Sequence, residues 1–148
     1  MGMLASTKKE LNKRLDAFEN ACRASGLRVT SQRREIFKAV AASHAHPSAE
    51  TVLCTVRKKM NNVSLDTVYR TLASLEKMNL LIRVGTPEKE HFDGDLRPHA
   101  HFICSQCGEV YDIFSTAELP DWKTAASACG DVTHVNVQLK GICKRCRH

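Results

Sequence analysis

Aromatic residues are few in this chain: one Trp, two Tyr and five Phe among 148 residues. With 43% hydrophobic and 26% charged residues the composition is that of a soluble globular protein, which excludes disordered, collagen-like and low-complexity classes. No apolar run approaches the roughly 18 residues that span a bilayer. The polar N-terminal segment lacks the apolar stretch of a secretory signal, so the expectation is a cytoplasmic protein with no membrane partner. Seven cysteines are too sparse for a disulfide scaffold and, being odd in number, cannot all pair within the chain. Metal binding or thiol chemistry is the better reading of them. The length suits one ordinary domain or two small ones and is short for most large enzyme scaffolds.

What is present is unevenly placed. Residues 1–85 carry 15 Lys/Arg against 7 Asp/Glu, a balance of +8, whereas residues 86–148 carry 7 against 9, or −2. Five of the seven cysteines and five of the seven histidines fall in the second part. The chain is bipartite: one part has the electrostatics for a polyanion, the other the side chains for a metal.

Apolar periodicity predicts a helix over residues 8–25, with Leu11, Leu15, Phe18 and Cys22 on one face and Gly26 at its end. A second helix begins at Thr30 or Ser31 and runs to about residue 43, and a third, capped by Ser48, carries Val52, Val56 and Met60. Ser64 caps a fourth, in which Leu65, Val68, Leu72 and Leu75 face inward while Thr67, Arg70, Thr71, Ser74 and Lys77 form a polar, basic outer face. Two strands, 80–84 and 89–92, follow. Short helices and then a hairpin are the order of a winged helix-turn-helix. Residues 94–98 read as a linker, after which a hairpin surrounds a Cys-x-x-Cys-Gly turn, residues 117–129 read as a helix with Pro120 in its first turn, and residues 133–139 alternate as a strand. The predicted fold class is α+β: an N-terminal winged helix-turn-helix domain over residues 1–92, a hinge over 93–98, and a small α/β domain over 99–148.

Cys104 and Cys107, with Cys143 and Cys146, form two Cys-x-x-Cys units. A two-residue spacer lets the chain turn around a metal, and four thiolates make a closed tetrahedral set suited to structural Zn(2+). A pair of redox disulfides is the alternative, but the thioredoxin-like βαβ context that would favour it is absent. Cys22, Cys54 and Cys129 read as buried small hydrophobes. His99 and His101 leave one face of a predicted strand, where both could reach one ion. Asp112, Asp93 and His46 have ordinary readings as turn formers or solvated groups, and spacing alone does not join them into a site.

Residues 26–33 (Gly-Leu-Arg-Val-Thr-Ser-Gln-Arg), 45–49 (Ala-His-Pro-Ser-Ala), 64–72 (Ser-Leu-Asp-Thr-Val-Tyr-Arg-Thr-Leu) and 99–104 (His-Ala-His-Phe-Ile-Cys) together resemble the ferric uptake regulator superfamily, over about residues 11–146. The resemblance implies a winged-helix DNA-binding domain joined to a dimerisation domain, a four-cysteine structural zinc site, and a regulatory metal held by His46, Asp93, His99, His101 and Asp112. That donor set is nitrogen and oxygen only, which suits Fe(2+) or Mn(2+). Aspartates at 93 and 112 look like the peroxide-responsive branch, where the iron-responsive branch usually has glutamates. The implied function is a metal-dependent repressor that senses hydrogen peroxide through iron-catalysed oxidation of a ligand histidine, His46 or His99. A further site of many iron sensors would lack ligands here, where Pro98 and Ala100 stand, leaving His134 structural or solvated.

By the same resemblance Tyr69 and Arg70 contact bases of a palindromic double-stranded operator, with Thr67 and Thr71 beside them and Arg28 and Arg33 on the backbone, in a homodimer. Tyr69 is also spaced to pack at the core edge, four residues after Leu65 and three before Leu72. An iron-responsive repressor is the neighbouring alternative; a thiol redox switch and a zinc hydrolase are alternatives of another kind. No His-x-Glu paired with Pro-Cys-x-x-Cys and no positioned general base supports a hydrolase, so the expectation is a protein that is not an enzyme.

Overall fold

The computed structural model describes residues 8–114 and 120–147. These fall into two units that divide between Leu96 and Arg97.

The first unit is helical. Helix α1 (Lys8–Ala24) buries Leu15, Phe18 and Cys22 and ends where Gly26, at φ 69, lets the Leu27 amide reach back to the Cys22 carbonyl at 2.8 Å. Thr30 caps α2 (Ser31–Ala41), its side chain accepting from the Arg33 amide. Phe37 of α2 stacks on Phe18 with ring centroids 4.9 Å apart. Ser48 caps α3 (Ala49–Arg57) and Ser64 caps α4 (Leu65–Lys77) by the same bond, satisfying amides that the first turn of a helix leaves without partners. Around Ile36, Val52, Val68, Leu72 and Leu75 the four helices close one apolar core, each such side chain contributing about 1.5–3 kcal/mol by burial.

The hairpin β1 (Ile82–Thr86) and β2 (Lys89–Asp93) completes the wing, with Thr86 opposite Lys89 across Pro87 and Glu88. Gly85 has φ 102, and a Cβ there would stand 2.4 Å from the Lys89 carbonyl oxygen, so the turn admits no other residue without shifting. The Phe92 amide donates to the Pro47 carbonyl at 2.9 Å, tying β2 to the loop between α2 and α3.

The second unit is a three-stranded sheet in the order β4-β3-β5, from β3 (Ala100–Cys104), β4 (Val110–Ile113) and β5 (Val137–Gly141). β4 runs antiparallel to β3 and β5 parallel to it.

Two expectations fail in this unit. The helix expected over 117–129 is a single turn, α5 (Trp122–Ala125), capped by Asp121, so Pro120 precedes the cap rather than lying in the first turn; residues 117–119 of that expectation lie outside the described residues. The expected strand over 133–139 begins only at Val137, because its register places Val137 opposite Ala100, where β3 starts. Among the described residues the alternation of residues 133–136 therefore has no partner strand to act on.

Candidate metal centres and the outward helix

At the end of β3 the chain turns through Cys104 and Cys107, and after β5 it turns again through Cys143 and Cys146. The four sulfurs all lie within 4.8 Å of one another, with Cys107 Sγ and Cys143 Sγ 3.9 Å apart. Sulfurs about 2.3 Å from one tetrahedral ion are themselves about 3.8 Å apart, whereas a disulfide needs about 2.05 Å. The cluster therefore fits zinc, and none of the four cysteines is in a disulfide. The amides of Cys107 and Cys143 point at Cys104 Sγ, at 3.5 and 3.4 Å, and these bonds hold the Cys104 thiol down to about 6. The hydrogen bond to Cys143 pushes Cys146 up to about 12. Arg145 approaches Cys107 Sγ at 3.8 Å and Glu109 at 3.8 Å.

On the same sheet His101 lies opposite Asp112 in the β3–β4 register. His99 and His101 both aim Nε2 at Asp112 Oδ1, at 3.2 and 3.3 Å, with the two rings edge to face at 4.5 Å. The Nδ1 of His99 is 2.6 Å from the Arg97 carbonyl. A carbonyl only accepts, so Nδ1 carries the hydrogen in the neutral ring and Nε2 presents a lone pair. A lone pair and a carboxylate facing each other are favourable only with a proton or a cation between them.

A matching pair lies in the first unit. His46 and Asp93 are both buried, with His46 Nε2 3.5 Å from Asp93 Oδ2. His46 has φ 49, a left-handed conformation that non-glycine residues rarely adopt. It is held by His91 of β2, whose Nδ1 donates to the His46 carbonyl at 2.7 Å. His91 was not among the residues singled out by sequence; its signal is the i, i+2 spacing that puts it on the face of β2 shared with Asp93.

Helix α4 turns Arg70 outward, as expected of its polar face; Tyr69 is exposed beside it, and Thr67 is partly exposed. Tyr69 is 40% exposed and donates its hydroxyl to Glu50 Oε1 at 3.1 Å, so its ring lies outside the core. Bonding to that carboxylate raises the Tyr69 pKa. Thr71 is a correction: at 6% exposure it belongs to the buried stripe of α4, since it follows Val68 by three residues and precedes Leu75 by four. Arg28 is exposed, and Arg33 turns back to donate to the Arg28 carbonyl at 2.5 Å. Two of the remaining cysteines also depart from expectation, for Cys22 is buried but Cys54 and Cys129 are exposed. His134 is exposed. Among the described residues no helix is long and apolar enough to cross a membrane.

Comparison with known proteins agrees with this arrangement. Residues 24–141 match the model of the ferric uptake regulator family. The chain is 30% identical over 128 residues to the peroxide-responsive repressor PerR of Staphylococcus epidermidis, covering 84% of this chain and 85% of that protein. Among solved structures it resembles the ferric uptake regulator of Pseudomonas aeruginosa with manganese, at TM-score 0.68 and 28% identity, over 85% of this chain and 97% of the other. It shares its fold with a zinc uptake regulator complexed with zinc and DNA, at TM-score 0.63 and 23% identity, over 92% and 94% of the two chains. With the four-thiol cluster, the histidine and aspartate donors and the helix order in agreement with it, the chain belongs to the ferric uptake regulator family.

Proposed function

We propose that this protein is a metal-dependent DNA-binding transcriptional repressor that senses hydrogen peroxide through iron-catalysed oxidation of a ligand histidine. The observation that carries the reading is the donor chemistry: two histidines converge on Asp112 in one unit and His46 meets Asp93 in the other, with no thiolate among them. Oxygen and imidazole donors suit ferrous iron or manganese. The 30% identity to a peroxide-responsive repressor supports the same branch.

In this reading residues 1–92 bind DNA, 93–98 form a hinge, and 99–148 dimerise and bind metal. Cys104, Cys107, Cys143 and Cys146 hold structural zinc. His46, Asp93, His99, His101 and Asp112 would together hold the regulatory ion, limiting the angle between the two domains so that a homodimer presents both α4 helices to a palindromic operator. Thr67, Tyr69 and Arg70 meet base edges while Arg28 and Arg33 neutralise phosphates; Thr71 leaves this set because it is buried. Ferrous iron held there would supply the reduction of hydrogen peroxide in which one oxygen adds to an imidazole and the other leaves as water. His46 and His99 are the rings offered, and a ring so altered no longer donates the same lone pair.

The test uses duplexes selected from a randomised pool by manganese-loaded protein. Iron-loaded and manganese-loaded samples are treated with low hydrogen peroxide, digested and weighed. An added oxygen on the peptide containing His46 or His99, in the iron sample only and with release of DNA, is the expected result. Iron-loaded protein that stays unmodified and bound would make this an iron-responsive repressor.

A further inference from the structure

Asp66 and Arg70 stand one turn apart on the outer face of α4, with side chains 69% and 81% exposed and Arg70 Nε 3.0 Å from Asp66 Oδ2. Such an i, i+4 pair on a helix surface contributes little to stability. Its geometry is more telling. The carboxylate lies on the Nε edge of the guanidinium, and the opposite edge, with one hydrogen each on Nη1 and Nη2, offers a parallel pair of donors. That pair matches the O6 and N7 acceptors of guanine in the major groove. A carboxylate on a DNA-facing helix is otherwise a liability, because it repels the phosphate backbone on every sequence.

From this we infer that Asp66 is a positioning residue for base readout: it fixes the Arg70 fork in the guanine-reading orientation and accepts a lower general affinity in return for discrimination. The inference rests on the reading of α4 as the groove-facing helix. It assigns Asp66 a part that composition hides, since an acidic residue in the first turn of any helix is favoured by the helix dipole alone. An aspartate on Nε cannot at the same time occupy both Nη1 and Nη2, so besides offsetting charge it leaves a donor pair free for a base edge. It also penalises the alternative poses in which the free arginine would wander to a nearby phosphate.

The experiment selects duplexes from a randomised pool with manganese-loaded wild type, Asp66→Ala, Asp66→Asn and Arg70→Ala, then measures affinity for the selected duplex, for single-base changes in it, and for a scrambled duplex. Asp66→Ala should lose guanine preference at one position per half-site, by on the order of fivefold or more, while binding the scrambled duplex more tightly. Asp66→Asn keeps an acceptor for Nε without the charge, so guanine preference should return while the scrambled duplex stays tightly bound. Arg70→Ala should lose the same position entirely. A merely helix-stabilising pair would shift the melting temperature and leave base preference untouched. If Asp66→Ala selects the wild-type sequence with an unchanged guanine ratio, the inference is overturned and the DNA-binding reading stands. If metal-loaded wild type selects no sequence at all, both fall.

Discussion

Cys104 shows how little of a metal site is contributed by the metal-binding atom itself. It sits buried where β3 ends, and the amides of Cys107 and Cys143 converge on its sulfur before any cation is present, so the turn is shaped for a thiolate. Cys104→Ser is therefore expected to abolish one zinc per chain and to lower the melting temperature sharply, whereas Cys54→Ser and Cys129→Ser, both exposed and outside the cluster, keep the zinc; elemental analysis beside a thermal melt checks this. The two threonines of α4 make a second contrast. Thr71→Ala should cost about 1 kcal/mol of stability with DNA affinity unchanged once folded. Thr67→Ala should leave the melt nearly alone and weaken binding to a selected duplex. A gel shift and a denaturant curve on each variant separate the two outcomes. The four cysteines were legible in the sequence because a Cys-x-x-Cys turn is a local object. Thr71 was misplaced because a helix with a wide apolar stripe buries a small polar residue at its margin as readily as it exposes one. The pairings of His91 with His46 and of Glu50 with Tyr69 were not legible, since the partners stand 45 and 19 residues apart.

At the level of elements, helix ends were easier to read than strand ends. Thr30, Ser48 and Ser64 all cap as their types suggest, because a cap needs only the amide three residues on. Ser64→Ala should cost about 1 kcal/mol and, by fraying the first turn of α4, weaken DNA binding beyond what the stability loss alone produces; circular dichroism and a binding isotherm at a temperature where the variant is folded distinguish the two. Gly85→Ala is expected to be worse. It meets both the φ of 102 and the Lys89 carbonyl, and strain of this kind costs on the order of 1–3 kcal/mol. The wing should then lose its amide protection in hydrogen exchange before the four helices do. The bounds of β5 and α5 escaped the sequence because neither is set locally. β5 takes its start from β3, a strand some 37 positions earlier by the Ala100–Val137 pairing, and the single turn of α5 buries no side chain that would give it a helical period.

For the whole molecule, the formal charge of +6 is the quantity that most needs reading by parts. The excess of basic residues lies in the unit that carries α4, so binding to any duplex should fall along a line in log K against log salt, with a slope of about −0.9 for each phosphate neutralised. A slope near zero across roughly 50–300 mM salt, about a sixfold range, would remove DNA from the list of partners.

The central position of β3 has a further consequence. One five-residue strand holds His101 against Asp112 on one side and delivers Cys104 to the thiol cluster at its end, while its parallel neighbour β5 leads directly into Cys143. Zinc held by Cys104 and Cys143 would tie the ends of β3 and β5 together beyond their backbone ladder, and so back the His101–Asp112 pairing. On the proposed reading zinc supply would then bear on sensing as well as on folding: in a zinc-starved cell newly made protein would assemble its histidine and aspartate donors poorly, and the order in which metals become available would set how much of it responds.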